Sequence, residues 1–194
     1  MAVVLPVNVI DGVISGAVIS HAVGSPALGA TTAVHAATAV LASGGPQVIT
    51  TGITSPAVPR NVTATAGGTA GDIKAVQVTV TGTNMAGAVI TETLPAFTVD
   101  TAGTVIGSKA FATVTGYSVP AMDGSGATVA IGTGAKLGIP AMNARNTVIA
   151  AYLAGTKEGT APTVAVSGTA MESNTVTLNS ALDGTAVVVD FYLS

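Results

Sequence analysis

Short stretches in which apolar and polar residues alternate recur along most of this chain. In the clearest of them, 76–81, valine alternates with glutamine or threonine, as it does in a strand that is buried on one face. The stretch 88–94 alternates again after the turn-forming residues 82–87, so the two are predicted to form a hairpin. Similar stretches predict further strands at 61–65, 110–119, 127–131, 147–153, 163–167, 175–178 and 186–193.

Glycine-rich and Asp-Gly segments separate these strands. No long helical pattern follows Gly45, which disfavours a parallel βαβ architecture and the nucleotide-binding folds built on it. Short strands at intervals of roughly 8–12 residues predict an all-β fold, an antiparallel β-sandwich or barrel-like domain. Turns are predicted at 67–68, 101–103, 123–126, 132–134 and 183–184.

The first 45 residues have a different character. An apolar, valine-rich start leads into an Ala/Thr/Gly/Ser stretch that shows no amphipathic face. We therefore predict an extended N-terminal arm at 1–45 and a β-sandwich domain at 46–194, for which a subdivision near 141 stays open. The apolar side chains of the arm are candidate assembly contacts with neighbouring subunits, and the alternative is that the same segment forms another core strand. These candidates are Val3, Val4, Val7, Val9, Ile10, Val13 and Ile14.

The apolar start does not match a secretory signal or a membrane span. A secretory signal begins with positive charge, whereas the first basic residue of this chain is Arg60. A transmembrane helix needs about twenty apolar residues, and Pro6, Asn8 and Asp11 interrupt this run. Its many β-branched residues favour a strand over a helix. We expect no membrane association.

Composition narrows the function classes further. Charged residues make up 8% of the chain, against about 25% in an ordinary soluble domain. Six Lys+Arg against nine Asp+Glu give a net charge of −3, so no basic field is expected and nucleic-acid binding is disfavoured. The chain has no cysteine, which excludes disulfides and thiolate metal sites. With so little charge to keep a monomer soluble, we expect much of the surface to be covered by other subunits.

Residues that could carry chemistry are scattered. The two histidines, His21 and His35, have no neighbouring nucleophile or acid in the sequence, and the acids occur singly. The Asp-Gly-Ser-Gly segment 123–126 lacks the further acids of a calcium loop. The glycine-rich 132–138 has the wrong spacing for a phosphate loop and leads to a proline rather than a helix. Threonine echoes such as TVTGT show no fixed period of the kind an ice-binding surface needs, so we assign them to cross-strand pairing. We predict no enzyme activity, no catalytic residue, no cofactor and no metal.

Four segments carry a resemblance when they are taken together. They are VITTGITSPAVPRNVTATAG (48–67), VQVTVTGTNMAGAVITETL (76–94), GSKAFATVTGYSVP (107–120) and GATVAIGTGAKLGIP (126–140). Their order, with a P-x-x-P-R-N entry and a G-T-G-x-K-L-G-x-P exit, resembles small virion structural proteins of tailed bacteriophages. The resemblance covers about half of the chain and leaves out both ends.

This resemblance implies a structural role on the phage particle, as a head decoration, cement or fibre-base protein without catalytic residues. The implied location is the virion, assembled in the host cytoplasm. The implied partners are further copies of the chain, with a trimer as the working guess, and the major capsid protein or other virion proteins. The alternative is a tail or receptor- or carbohydrate-binding β-sandwich. The scarcity of aromatic residues, 3% of the chain, argues against sugar stacking.

Overall fold

The computed structural model describes residues 3–4 and 17–193. It confirms the predicted all-β class: 47% of the residues lie in strands and 3% in helix, and the sheets are antiparallel. The helical residues form two short 3-10 turns, at Ala70–Asp72 and Met171–Ser173. In the part of the chain that is described, neither turn approaches the length or apolar character of a membrane-crossing helix.

Fifteen strands follow one another along the described residues. They are β1 (Val3–Val4), β2 (Val18–Gly24), β3 (His35–Ala39), β4 (Gln47–Ile49), β5 (Arg60–Gly68), β6 (Thr79–Thr83), β7 (Val89–Thr93), β8 (Gly103–Phe111), β9 (Thr113–Val119), β10 (Ala127–Gly138), β11 (Val148–Leu153), β12 (Thr156–Lys157), β13 (Thr163–Ala165), β14 (Thr175–Thr177) and β15 (Val187–Tyr192).

The strands form three sheets. The terminal sheet has the order β1-β2-β15-β11-β12 and so combines the two ends of the chain. The central sheet has the order β13-β14-β10-β5-β8, and β3 also pairs with β10. The hairpin sheet has the order β4-β9-β6-β7 and contains the hairpin predicted from the valine alternation, with Thr79 opposite Thr93 and Thr83 opposite Val89.

Two hydrophobic cores lie between these sheets. The first fills the space between the central and hairpin sheets and includes Val62, Val80 and Phe111, all fully buried. The second lies between the terminal sheet and the far end of the central sheet and includes Val176, Val189 and Phe191. The long strand β10 contributes to both cores and therefore connects them.

Several of the predicted element boundaries are wrong. The turn predicted at 67–68 is the end of β5, where Gly67 pairs with Thr128 and Gly68 with Ala127. The single strand predicted at 110–119 is divided at Ala112, because β8 continues the central sheet whereas β9 enters the hairpin sheet. The turn predicted at 132–134 lies inside β10, where Gly132 pairs with Thr63. A Cβ on Gly132 would collide with the carbonyl oxygen of Ala30, so this glycine permits a close approach of two backbones rather than a turn.

The described part of the predicted arm lies within the sheets. β2 pairs with β15, with Ile19 opposite Phe191. β3 pairs with β10, and Val34 and Val40, on either side of β3, are buried in the first core. The apolar residues from position 17 onward thus contribute strands and core to the fold. The domain boundaries near 45 and 141 stay predictions.

Candidate functional site

Two of the seven candidate assembly contacts, Val3 and Val4, fall at one edge of the terminal sheet. Val3 and Val4 form β1, the outermost strand, and pair with Ser20 and Ile19 of β2. The other candidates, Val7, Val9, Ile10, Val13 and Ile14, lie outside the described residues. Contact between these side chains and other subunits stays a prediction.

Both edges of the terminal sheet are formed by two-residue strands, β1 and β12. Within the described residues no further strand pairs beyond either of them. An edge strand presents unpaired N–H and C=O groups to which a strand of another chain can add. Lys157 in β12 is the kind of charged residue that discourages such pairing. Of the two edge strands as described, β12 carries such a charge and β1, Val3–Val4, does not.

Large apolar side chains are exposed on all three sheets. Ile149 lies on β11, Ile106 on β8 and Val89 on β7, where Val89 is 76% exposed. Single exposed apolar residues are ordinary, but here they occur on a surface with few charges to separate them. The exposed set in the described residues is Leu28, Leu41, Val48, Val89, Val99, Ile106, Met142, Ile149, Val166 and Leu193.

Threonine hydroxyls cover the outer face of the hairpin sheet. Oγ1 of Thr79 lies 3.2 Å from Oγ1 of Thr93, and Oγ1 of Thr83 lies 2.7 Å from Oγ1 of Thr113. The threonine echoes of the sequence therefore form hydrogen-bonded cross-strand pairs, as the sequence interpretation expected. The alternation of valine and threonine along β6 also matches the burial of these side chains, since Val80 points into the core and its neighbours Thr79 and Thr81 face outward.

Glu92 joins the edges of two sheets. Its carboxylate, on β7, accepts hydrogen bonds from the backbone N–H of Ser108 at 2.6 Å and of Lys109 at 3.2 Å, both on β8. The Ser108 hydroxyl donates to it as well, at 2.8 Å. Because these N–H groups lie at the edge of the central sheet, the carboxylate takes the place that a neighbouring strand would occupy. At Ser108 and Lys109 this edge is therefore occupied by the chain itself.

A second carboxylate, Glu172, connects the C-terminal third of the chain to the hairpin. Its Oε2 accepts a hydrogen bond from Nδ2 of Asn84 at 3.2 Å, and its Oε1 lies 3.6 Å from Nζ of Lys109. Burial raises the pKa of this carboxyl, but hydrogen bonds from its own backbone and from Asn84, with the charge of Lys109, outweigh that effect and lower the pKa overall. Glu172 thus holds the Asn84 amide with one carboxylate oxygen and the Lys109 ammonium with the other.

Arg60 is the most deeply buried Lys or Arg side chain of the described residues, and it lines a pocket. Only 5% of the residue is exposed. Its guanidinium donates to the carbonyl oxygens of Ala27 and Gly134, and burial lowers its pKa. This side chain is not among the sites predicted from the sequence. Its only signal is an isolated cation at the start of a β-forming segment, between Pro59 and Asn61.

The remaining candidates for chemistry stay apart. His21 lies on β2 and His35 on β3, and burial lowers the pKa of His21. Among the described residues no group of three His, Asp or Glu side chains is placed to hold a metal ion.

Asn61 begins the sequence Asn-Val-Thr, which is an acceptor sequence for N-glycosylation. Its side chain is fully buried, where its amide donates to the Gly107 carbonyl and accepts from the Lys136 N–H. Asn61 is therefore inaccessible to glycosylation in the folded chain.

The aromatic side chains give little for a sugar to stack on. Phe97, Phe111, Tyr117 and Phe191 are buried, and Tyr152 and Tyr192 are half-buried. The guanidinium carbon of Arg145 lies 5.9 Å from the centroid of the Tyr192 ring and covers part of that ring. Over the described residues, no aromatic ring is thus presented as an open platform.

Comparison with known proteins found no relatives. No family model, no curated protein and no solved structure matches this chain.

Proposed function

We propose that this chain is a non-enzymatic structural component of a tailed-bacteriophage particle, a head decoration, cement or fibre-base protein. It would bind the capsid surface through its apolar N-terminal segment and its sheet edges. One observation supports the structural part of this proposal: Val3 and Val4, which pair with β2, form the outermost described strand on one side of the terminal sheet. The phage assignment rests on the resemblance of residues 48–140.

The mechanism follows from edge-strand chemistry. A strand from a neighbouring copy or from the major capsid protein would continue the terminal sheet beyond β1 through backbone hydrogen bonds. Burial of the valine and isoleucine side chains of the N-terminal segment would add affinity, at about 25 cal/mol per Å² of apolar surface. The whole chain has only six Lys+Arg and nine Asp+Glu, so few charged side chains oppose such burial by their hydration.

The test is attachment of truncated protein to particles. The truncation should remove residues 1–16 and no more, because β2 and β3 belong to the sheets and a deletion to residue 45 would disrupt both cores. We expect the truncated protein to fold, as judged by its circular dichroism and unfolding temperature, and to lose co-sedimentation with particles that lack the native copy. Normal attachment of the truncated, folded protein would refute the role given to this segment.

Matched substitutions separate a specific contact from a general effect of charge. Val3→Asp with Val4→Asp places two charges on the β1 edge, whereas Val99→Asp with Met142→Asp places two charges on exposed residues outside the strands. We expect the first double variant to lose attachment and the second to keep it. Imaging of particles that carry the wild-type chain then tests the virion assignment itself, because a decoration or cement protein appears at fixed positions on the head in a fixed ratio to the capsid protein.

A further inference from the structure

A pocket of about 220 Å³ opens beside Arg60. Two loops, 26–33 and 54–58, form most of its wall, and their contributions are mainly apolar, including Pro26, Leu28 and Ala57. Hydroxyl groups come from Thr54, Ser55 and Thr133. A cavity of about 150 Å³ is enough to hold benzene, so this pocket has room for a short organic molecule.

Arg60 is the charged group of this pocket, and its hydrogen bonds are incomplete. Nε donates to the carbonyl oxygen of Gly134 at 2.6 Å, Nη1 donates to that of Ala27 at 2.9 Å, and Nη2 also donates to Gly134. A guanidinium carries five N–H groups. Within the described residues, one N–H on Nη1 and one on Nη2 therefore have no protein acceptor.

The charge of Arg60 is also unbalanced. The ion pairs of the described residues are Lys74–Asp123 and Lys109–Glu172, and neither involves Arg60. Arginine stays protonated in proteins even when burial lowers its pKa. Carbonyl oxygens solvate this cation but do not neutralise its charge, so an anion that reaches Arg60 through the pocket would be bound favourably.

We infer that this pocket binds a carboxylate carried on a short apolar body. The two remaining N–H groups of Arg60 suit the paired oxygens of a carboxylate, which guanidinium groups bind in a bidentate manner. The Ser55 hydroxyl oxygen accepts from the Val114 N–H at 3.2 Å, which leaves the hydroxyl proton available to the same anion. One positive charge matches a monoanion, and the apolar walls suit the hydrocarbon part. The site is independent of the virion role proposed above.

The carboxylate could come from a free organic acid or from an Asp or Glu side chain of a second copy of this chain. The chemistry at Arg60 is the same for both, and sedimentation distinguishes them. If butyrate binds without changing the oligomeric state, the natural ligand is a free acid. If butyrate dissociates an oligomer as it binds, the natural ligand is the carboxylate of a second copy.

The direct test uses the full chain with sodium butyrate as the probe. Three compounds serve as controls. Butyramide has the same hydrocarbon chain without the negative charge, and sodium formate has the carboxylate without the hydrocarbon chain. Sodium chloride controls for ionic strength. We expect butyrate to raise the unfolding temperature progressively with concentration, and the other three to give a much smaller change. A response to butyrate no larger than that to formate or chloride would overturn the proposal.

Amino-acid substitutions test whether the butyrate response arises from this pocket. Arg60→Gln should abolish the butyrate response. Since this change also weakens the bonds to Ala27 and Gly134, a second variant, Ala57→Leu, narrows the pocket and leaves Arg60 in place. Ala57→Leu should likewise lose the response, whereas Ala102→Leu, at an exposed alanine that does not line the pocket, should keep it. A butyrate response that survives in folded Ala57→Leu would place binding elsewhere and refute the site.

Discussion

The phenolic hydroxyl of Tyr117 lies 2.9 Å from Nδ1 of His35, and the two rings meet edge to face with their centroids 5.4 Å apart. Tyr117 belongs to β9 of the hairpin sheet and His35 to β3, which pairs with the central sheet. The contact therefore joins the two sheets that enclose the first core. It gives His35, in a stretch of alanine and threonine, a structural role.

Loss of this contact should weaken the fold. Tyr117→Phe keeps the ring and removes the hydroxyl, so we expect the free energy of unfolding to fall by about 1 kcal/mol, the typical contribution of one hydrogen bond. Denaturant titration measures the change. Tyr152→Phe, at a half-buried tyrosine on β11, is the control and should leave stability nearly unchanged. Equal losses in the two variants would contradict the importance of the His35 bond.

Tyr117 should also limit stability at alkaline pH. Burial raises the pKa of its hydroxyl above the ordinary value, so the folded state holds this proton more tightly than the unfolded chain does. The associated stability is fully present below the unfolded pKa of about 10 and is lost as pH rises through the folded pKa. We expect wild-type stability to decline above about pH 10 more steeply than that of Tyr117→Phe. Parallel slopes in the two proteins would show that Tyr117 does not cause the decline.

Ionised Glu172 should stabilise the fold, and this contribution should be lost at acidic pH. Its lowered pKa means that the folded state favours the charged carboxylate, so its contribution is present above the unfolded pKa of about 4.3 and is lost as pH falls through the folded pKa. We expect Glu172→Gln to reduce stability by about 1 kcal/mol at pH 7 and to weaken the acid dependence. Asp123→Asn, which breaks the exposed pair with Lys74, is the control and should have little effect. Unfolding curves between about pH 3 and 7 compare the three proteins.

The close packing of Gly132 predicts a severe effect of a small substitution. Gly132→Ala places a methyl group against the backbone of Ala30 and Thr31, and we expect it to cost about 1–3 kcal/mol. Gly159→Ala is the matched control, since a Cβ at that exposed glycine meets nothing within 4 Å and should change stability by less than about 0.5 kcal/mol. Thermal unfolding of both variants measures the difference, and a tolerated Gly132→Ala would mean that the Ala30 segment can move away.

Local patterns predicted most of the strands, because alternation reports which face of a strand is buried. The hairpin β6–β7 is the clearest success, since Val80 and Ile90 face the core and Thr79 and Thr91 face outward. The pattern failed at Gly132, where glycine was interpreted as a turn. A glycine that admits a crossing backbone has the same local sequence as one that turns the chain, and only the position of Ala30 distinguishes them.

The pairing of strands that lie far apart in the chain could not be predicted from local sequence patterns. Nothing local indicates that Ile19 lies opposite Phe191, or that alanine-rich β3 would pair with β10. The pocket beside Arg60 was missed for the same reason, since its walls come from loops near residues 27 and 56 and from β10. A single arginine among apolar residues is an ordinary occurrence in a sequence, and its buried charge becomes evident only when the surrounding chain is in place.

The pairing of β2 with β15 has a consequence for the synthesis of the protein. β2 ends at Gly24 and β15 begins at Val187, so translation must add about 160 residues before the partner of β2 exists. At a synthesis rate of roughly 5–20 residues per second, about 10–30 s pass between the synthesis of β2 and that of β15, the strand with which it pairs. During that time other nascent chains can pair with it. The yield of correctly folded chains should therefore depend on how fast the message is translated as well as on the stability of the finished fold.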